Sequence, residues 1–177
     1  MFADLTLTPK EALRLCALGM VAAAPMRYSA LAGQVRHFCG SIMGPSLDLM
    51  GPSIELLRYE ALVEARDGKG MEDDALLAIT EAGQRELKTL LTARVRSSSD
   101  LSKLVVALKF RFLHLLDASE QAAQIEMLRD ASESELARLE DLRDHEAASG
   151  SALDAWLDHD LKLLRQRIVW LEAFKPA

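Results

Sequence analysis

The stretch ALLAITEAGQREL, Ala75 to Leu87, decides the fold of this chain. Its first half alternates, Leu76 and Ala78 against Leu77 and Ile79, as a short strand does. Its second half changes to helical spacing at Ala82, Leu87, Leu90 and Leu91. Thr80 stands at the change as an N-cap, and Glu81 places a carboxylate in the first turn, where the helix dipole favours it. A strand therefore ends at Thr80 and a helix begins near Glu81.

Upstream, LVEARDGKGMEDD supplies a second strand, Leu62 to Arg66, and a Gly-rich tip, Asp67 to Asp74. Strand, tip, strand and helix, placed after a helical segment, make the outline of a winged helix-turn-helix. That outline points to DNA binding and transcriptional control.

The segments before it fit. Thr8-Pro9 with Glu11 is an N-cap, a Pro at the first helical position and an acidic third residue, so a first helix runs Thr8 to Val21. Leu13, Cys16, Ala17 and Met20 form its apolar face, with Leu15 and Leu18 adding to it. Ala24-Pro25 ends it. A second helix, capped by Ser29, spans Ser29 to Phe38 with Leu31, Val35 and Phe38 inward. Gly40 to Pro45 reads as a turn. A third helical segment starts at Ser46, is interrupted at Gly51-Pro52 and continues over Ser53 to Glu60, with Ile54, Leu57 and Ala61 inward. The helix after Thr80 extends to about Val95.

The polar run RSSSD, Arg96 to Asp100, is a boundary. Beyond it the chain reads as helices. Leu101 to Leu116 carries Leu101, Leu104, Val105, Leu108, Phe112 and Leu115 at helical spacing. Ser119 to Arg143 carries Ile125, Leu128, Ser132, Leu136, Leu139 and Leu142. A loop, His145 to Ala152, precedes a last helix, Leu153 to Phe174, with Leu153, Trp156, Leu157, Leu161, Leu164, Ile168 and Leu171 apolar. Three helices with so wide an apolar surface imply that part of the last one packs on a second subunit. The fold class is mainly α: a winged helix-turn-helix of three to four helices and a two-stranded wing over residues 1–95, then a helical dimerisation domain over residues 100–177.

Bulk properties narrow the function. The chain has 177 residues, half of them apolar and 5% aromatic. It holds no apolar run of membrane-spanning length, and Asp4, Lys10 and Glu11 come too early for a secretory leader; we read a cytoplasmic protein. Cys16 and Cys39 are the only cysteines, read as two reduced, buried thiols. Two cysteines alone build no zinc site, and no metal or cofactor is expected. Net charge is −6, with ten Lys/Arg against twelve Asp/Glu in residues 1–95 and eleven against fifteen in residues 96–177. DNA-binding domains usually carry a basic excess, so any DNA surface here must be a one-faced patch. GxSxG, Walker A and HExxH are absent. The four histidines are scattered, Asp158-His159-Asp160 points apart on a helix, and Glu133, Glu135 and Glu140 make a solvated acidic face; no enzyme is read.

Three segments together resemble the PadR family of transcriptional regulators. TPKEALRLCALGMVAAAPMRYSALAGQVR is similar to the family's opening helix, break and second helix. SLDLMGPSIELLRYEALV followed by ALLAITEAGQREL is similar to its recognition helix, wing and "LTxxGxxxL" ending. LRQRIVWLEAF resembles the Trp-Leu close of its dimerisation helices. The resemblance implies a homodimer that binds an inverted-repeat operator in double-stranded DNA, represses nearby genes and in some members answers to a small aromatic ligand. Two positions depart from the pattern: Tyr28-Ser29 stands for the family's Gly-Tyr, and Gly51-Pro52 for its Tyr-Pro.

A recognition helix enters the major groove with its N-terminal half. Here that half, Ser46 to Ser53, contains no Arg, Lys, Asn or Gln, the types that make bidentate base contacts. Ser46 and Ser53 are its polar candidates. Arg27, Tyr28, Arg36, His37, Arg58 and Lys69 are candidates for the DNA backbone, with Lys69 between two glycines at the wing tip. Glu72, Asp73 and Asp74 oppose phosphate approach. Phe110, Phe112, His114, Met127, Trp156 and Trp170 are candidates for an aromatic ligand, which Trp170 could stack upon. The other reading of these residues is a winged-helix protein that has lost strong operator binding and contacts a protein partner.

Overall fold

A computed structural model describes residues 7–44, 51–68, 74–93, 101–146 and 151–175; the side chains of 51–53 and 101–102 lie outside the description. The chain divides into two compact units, Met1–Ser97 and Ser98–Ala177.

In the first unit, α1 (Pro9–Ala23) starts on a complete capping box: Thr8 Oγ1 accepts from the Glu11 N–H, and the Glu11 carboxylate accepts from the Thr8 N–H at 2.7 Å. Two orphan donors of the first turn are thereby satisfied. Pro25 stops the helix, and the chain leaves Ala24 extended. The next two residues form a strand that the sequence does not announce, β1 (Met26–Arg27). α2 (Tyr28–Met43) follows at once and runs five residues past Phe38, through the expected turn, to Gly44 at φ 82°.

α3 (Gly51–Tyr59) starts at Gly51-Pro52, where an interruption was expected; Pro fits a first turn, whose N–H groups have no helical partner. The segment from Ser46 to Met50 lies outside the described residues. Ile54 and Leu57 point inward as expected, but Ala61 does not. It takes φ 57° and closes the helix in a Schellman motif, with Leu62 N–H bonded to Leu57 O at 2.8 Å and Ala61 N–H to Arg58 O at 3.0 Å. Leu62 is buried in its place.

The sheet adds β1 to the two strands of the wing, β2 (Val63–Ala65) and β3 (Leu76–Ile79), in the antiparallel order β1-β3-β2. Leu77 faces Met26 on one side and Ala65 on the other. Thr80 caps α4 (Glu81–Leu91), accepting from the Gly83 N–H at 3.0 Å, while its own N–H and hydroxyl are both bonded to Leu62 O. The core joins Leu13, Leu18 and Val21 of α1, Leu31 and Val35 of α2, Ile54 and Leu57 of α3, and Val63, Leu77 and Leu90. α1 is bound to the end of α3 and the middle of α4 through Arg14, which pairs with Glu60 and, at 3.3 Å, with Glu86.

The second unit is an antiparallel helix pair with a third helix against it. α5 (Leu101–Phe112) runs into a 3-10 turn (Leu113–Leu115), followed by α6 (Ala118–Glu146) and α7 (Ala152–Ala173). Ser151 and Asp154 form the capping box of α7. Leu139 and Leu142 of α6 pack with Leu157, Leu161, Leu164, Ile168 and Leu171 of α7. The apolar stripe of α5 is not consumed: Leu104, Val105, Leu108 and Phe112 are exposed, and Leu113 is the buried residue of that segment. Trp156, expected inward, is 46% exposed. No helix among the described residues is long and apolar enough to cross a membrane.

Candidate nucleic-acid interface

α2 and α3 are the helix-turn-helix, and β2 and β3 are the wing beside it. Arg27, at the junction of β1 and α2, does not reach out. Its Nη1 donates to Asp67 Oδ2 at 2.8 Å and Oδ1 at 3.0 Å, and to Asp74 O at 3.2 Å. Asp67 also accepts the Leu76 N–H, at 2.5 Å. That N–H first, and the Arg27 guanidinium after it, hold the Asp67 carboxyl below the ordinary carboxylate range.

Ser29 is not the cap of α2. The N-cap position is Arg27, whose side chain makes no capping bond. The cap comes from across the chain: Asp74 accepts the Ser29 N–H at 2.7 Å and the Ser29 hydroxyl at 3.0 Å. A carboxylate thus occupies the positive end of α2, where a phosphate would gain most from the helix dipole. Asp67 and Asp74 have their roles only in three dimensions; their sole signal in the sequence is that they bracket the wing tip.

Tyr28 is buried, its N–H bonded to Ala75 O. Burial raises its phenol above the usual range, and the Glu55 charge adds to this against the opposing effect of Arg58. Its ring is core, which removes it from any surface that meets DNA. Arg58 is bonded to Glu55 at 3.1 Å and lies 5.7 Å from the Tyr59 ring centroid. Arg36 and His37 stand exposed on α2. Ser46 and Lys69 lie outside the described residues, as does the side chain of Ser53. The outer face of α3 presents Leu56, 51% exposed, and Tyr59, 81% exposed. The outer face of α3 is therefore apolar and aromatic at Leu56 and Tyr59, and two arginines of this surface, Arg27 and Arg58, are already engaged by carboxylates.

The six ligand candidates do not form one site, and Phe112 and Met127 are exposed. Phe110 and Trp170 meet at 5.4 Å, and Phe174 completes the group at 5.4 and 5.3 Å from them. Trp156 lies four turns away on α7, about 21 Å along the axis, and His114 is exposed on the 3-10 turn. Beside the three rings a groove of about 340 Å³ opens between α6 and α7, lined by Ala122, Ile125, Arg129, Leu171 and Phe174 among others.

The sequence pattern of the AphA-like transcriptional regulators matches residues 2–175. The chain belongs to this family. The AphA-like chain also shares its fold with PadR proteins. It is similar to Bacillus subtilis PadR crystallised with operator DNA (16% identity, TM-score 0.68, covering 94% of this chain and 97% of that one). It is equally similar to the same protein with p-coumaric acid (18% identity, TM-score 0.69, 95% and 96%), and to a PadR-like regulator of Bacillus cereus (13% identity, TM-score 0.63, 93% and 97%). No curated protein sequence matches. An AphA-like chain is a transcriptional regulator and not an enzyme, and the resemblance read from the wing and the Trp-Leu ending is borne out.

Proposed function

We propose that this AphA-like regulator is a homodimeric repressor. Residues 1–95 bind operator DNA, residues 100–177 pair with a second copy, and a small aromatic ligand releases the complex in the cytoplasm. The observation that carries the DNA reading is the α2-α3 pair with its wing, in a chain similar over 94% of its length to an operator-bound regulator. Arg36 and the wing-tip Lys69 supply backbone contacts. Arg27 joins them when phosphate displaces Asp67.

The dimer reading is supported by unburied apolar surface. Trp156, Leu163 and Trp170 recur every seven residues along α7 and are 46%, 45% and 50% exposed; the α5 stripe is exposed as well. A second copy covering both faces would bury them. The groove beside Phe174 has the volume of a small-ligand site, with Ala122, Ile125 and Leu171 as its apolar wall.

A second reading has its own support: the Asp67 and Asp74 carboxylates hold the places a phosphate would take, and α3 presents Leu56 and Tyr59. In it, the winged helix meets a protein partner. Fluorescence anisotropy on the chain's own upstream DNA against a scrambled duplex, from low to physiological salt, separates the two. Preference for the native promoter at physiological salt supports the repressor. Binding absent even at low salt overturns it in favour of the protein partner.

A further inference from the structure

Two carboxylates of the wing hold the groups with which the β1-α2 junction would meet a phosphate. β1 pairs with β3, Arg27 beside Leu76, and the Tyr28 N–H is bonded to Ala75 O. That register lays Arg27 and Ser29 against the two ends of the wing tip, Asp67 and Asp74. Asp67 takes the Arg27 guanidinium through both oxygens, at 2.8 and 3.0 Å. It also accepts the Leu76 N–H, so the wing backbone holds this carboxylate in place. Asp74 sits at φ 46°, a left-handed state that few L residues adopt. In it the carbonyl accepts from Arg27 at 3.2 Å, while the carboxylate takes the Ser29 N–H and hydroxyl at 2.7 and 3.0 Å. We propose that Asp67 and Asp74 form an autoinhibitory latch, which DNA phosphate must open at the Arg27–Asp67 pair before it reaches the junction.

The pair is displaceable. The Arg27 and Asp67 side chains are 50% and 48% exposed, and an ion pair so open to water is held weakly. A guanidinium bonds phosphate in the same fork geometry as it bonds a carboxylate, so a phosphate competes for the same donors. Opening carries two costs. The Arg27–Asp67 bonds are lost, and the released carboxylate, still bonded to the Leu76 N–H, meets the incoming phosphate with like charge. Asp74 repeats the second cost at the start of α2, where it already takes what the helix end offers an anion. Binding is weakened for any duplex, because the competition concerns phosphate and not base edges.

Stability and affinity are opposed at this contact. The Leu76 N–H and the Arg27 guanidinium stabilise the fold through Asp67, and the same carboxylate withholds Arg27 from DNA. Neutralising Asp67 should therefore lower the melting temperature and tighten DNA binding together. A carboxylate with a structural role alone would lower both. The latch rests on the DNA reading above and is a regulation of that surface.

The test is anisotropy of the full chain on its own upstream duplex and on a scrambled one, at one low salt concentration. Asp67→Asn keeps an acceptor for the Leu76 N–H, and Asp74→Asn keeps a capping residue; each removes only the charge. Asp67→Asn should tighten binding to both duplexes about two- to fivefold, the range an exposed ion pair is worth, while thermal melts of the same sample fall. A double-mutant cycle isolates the pair. In an Arg27→Gln background the gain should shrink to that of Glu64→Gln, which neutralises an exposed carboxylate of β2. A gain that persists in full without Arg27, or that Glu64→Gln matches in the parent, would mean general repulsion and overturn the latch. So would unchanged or weaker binding by Asp67→Asn. A parent that prefers its own promoter, with variants that gain nothing, removes the latch and leaves the operator reading standing. Absence of DNA binding in the parent and in the Asp67→Asn, Asp74→Asn double variant removes both, whereas binding by the double variant alone supports the latch.

Discussion

Gly83→Ala should unfold the winged helix at markedly lower temperature, although it places a better helix former in a helix. Gly83 lies in the first turn of α4, against the chain that enters β2. A Cβ there would sit well inside contact distance of Leu62 O, 2.7 Å from Ile79 Cγ1 and 3.0 Å from Leu62 C. The obstacle is backbone, and that carbonyl already accepts from the Thr80 N–H and hydroxyl. It cannot retreat without breaking the junction of wing and helix. Overpacking of this kind costs about 3 kcal/mol, the upper end of the usual range. The helix preference for Ala returns about 1 kcal/mol. The net loss of about 2 kcal/mol lowers the Tm of a unit this size by roughly 8 to 16 °C. Scanning calorimetry of the full chain measures it, with Gly19→Ala and Gly33→Ala as comparators. A Cβ at either of those helical glycines meets nothing within 4 Å, so both should hold or raise the Tm. If Gly83→Ala behaves like them, the close approach is not real, and the glycine of the TEAG segment has another reason.

Other expectations follow from the same unit. Ala61→Gly relieves a left-handed alanine and should stabilise the chain by up to about 1 kcal/mol, read as a higher urea midpoint; a lower midpoint would refute the strained cap. Thr80→Ala removes the α4 cap and the hydroxyl bonds to Ala61 O and Leu62 O, at a cost of about 1 to 2 kcal/mol, and Thr80→Ser should restore most of it. Because the folded Asp67 carboxyl is held below its unfolded value, its stabilisation is complete above about pH 4 and is lost as pH falls through the lowered folded value. Melts of Asp67→Asn and the parent should thus differ at neutral pH and converge in acid; a constant gap would mean the charge is irrelevant. Leu163→Glu with Trp170→Glu should convert a dimer to a monomer in light scattering, whereas an unchanged mass would place the dimer contact elsewhere.

The wing could be read in one dimension because its signals are local. The alternation through Ile79, the cap at Thr80 and the helix after it all act within a few residues, as do the Thr8-Glu11 box and the break at Pro25. The Leu spacing of α7 likewise named the face that packs on α6. The same locality explains the misreadings. β1 has two residues and no period of its own, and exists because Leu76 and Leu77 offer a strand edge. Helical spacing in α5 marks an apolar stripe but not what covers it, so Leu104 and Leu108 proved exposed.

Residues distant in sequence settle the rest. Arg27 is a free cation in the sequence and a partner of Asp67 in the fold. Ser29 has the chemistry of a cap, yet Asp74, 45 residues later, supplies it. Tyr28 could have faced DNA or core, and the fold buries it in the cluster that holds Leu31 and Val35. Local chemistry, caps and periodicity, determined which elements form. Which side chains those elements bring within hydrogen-bond range is decided by tertiary packing, because such contacts depend on the relative placement of whole helices and not on neighbours along the chain.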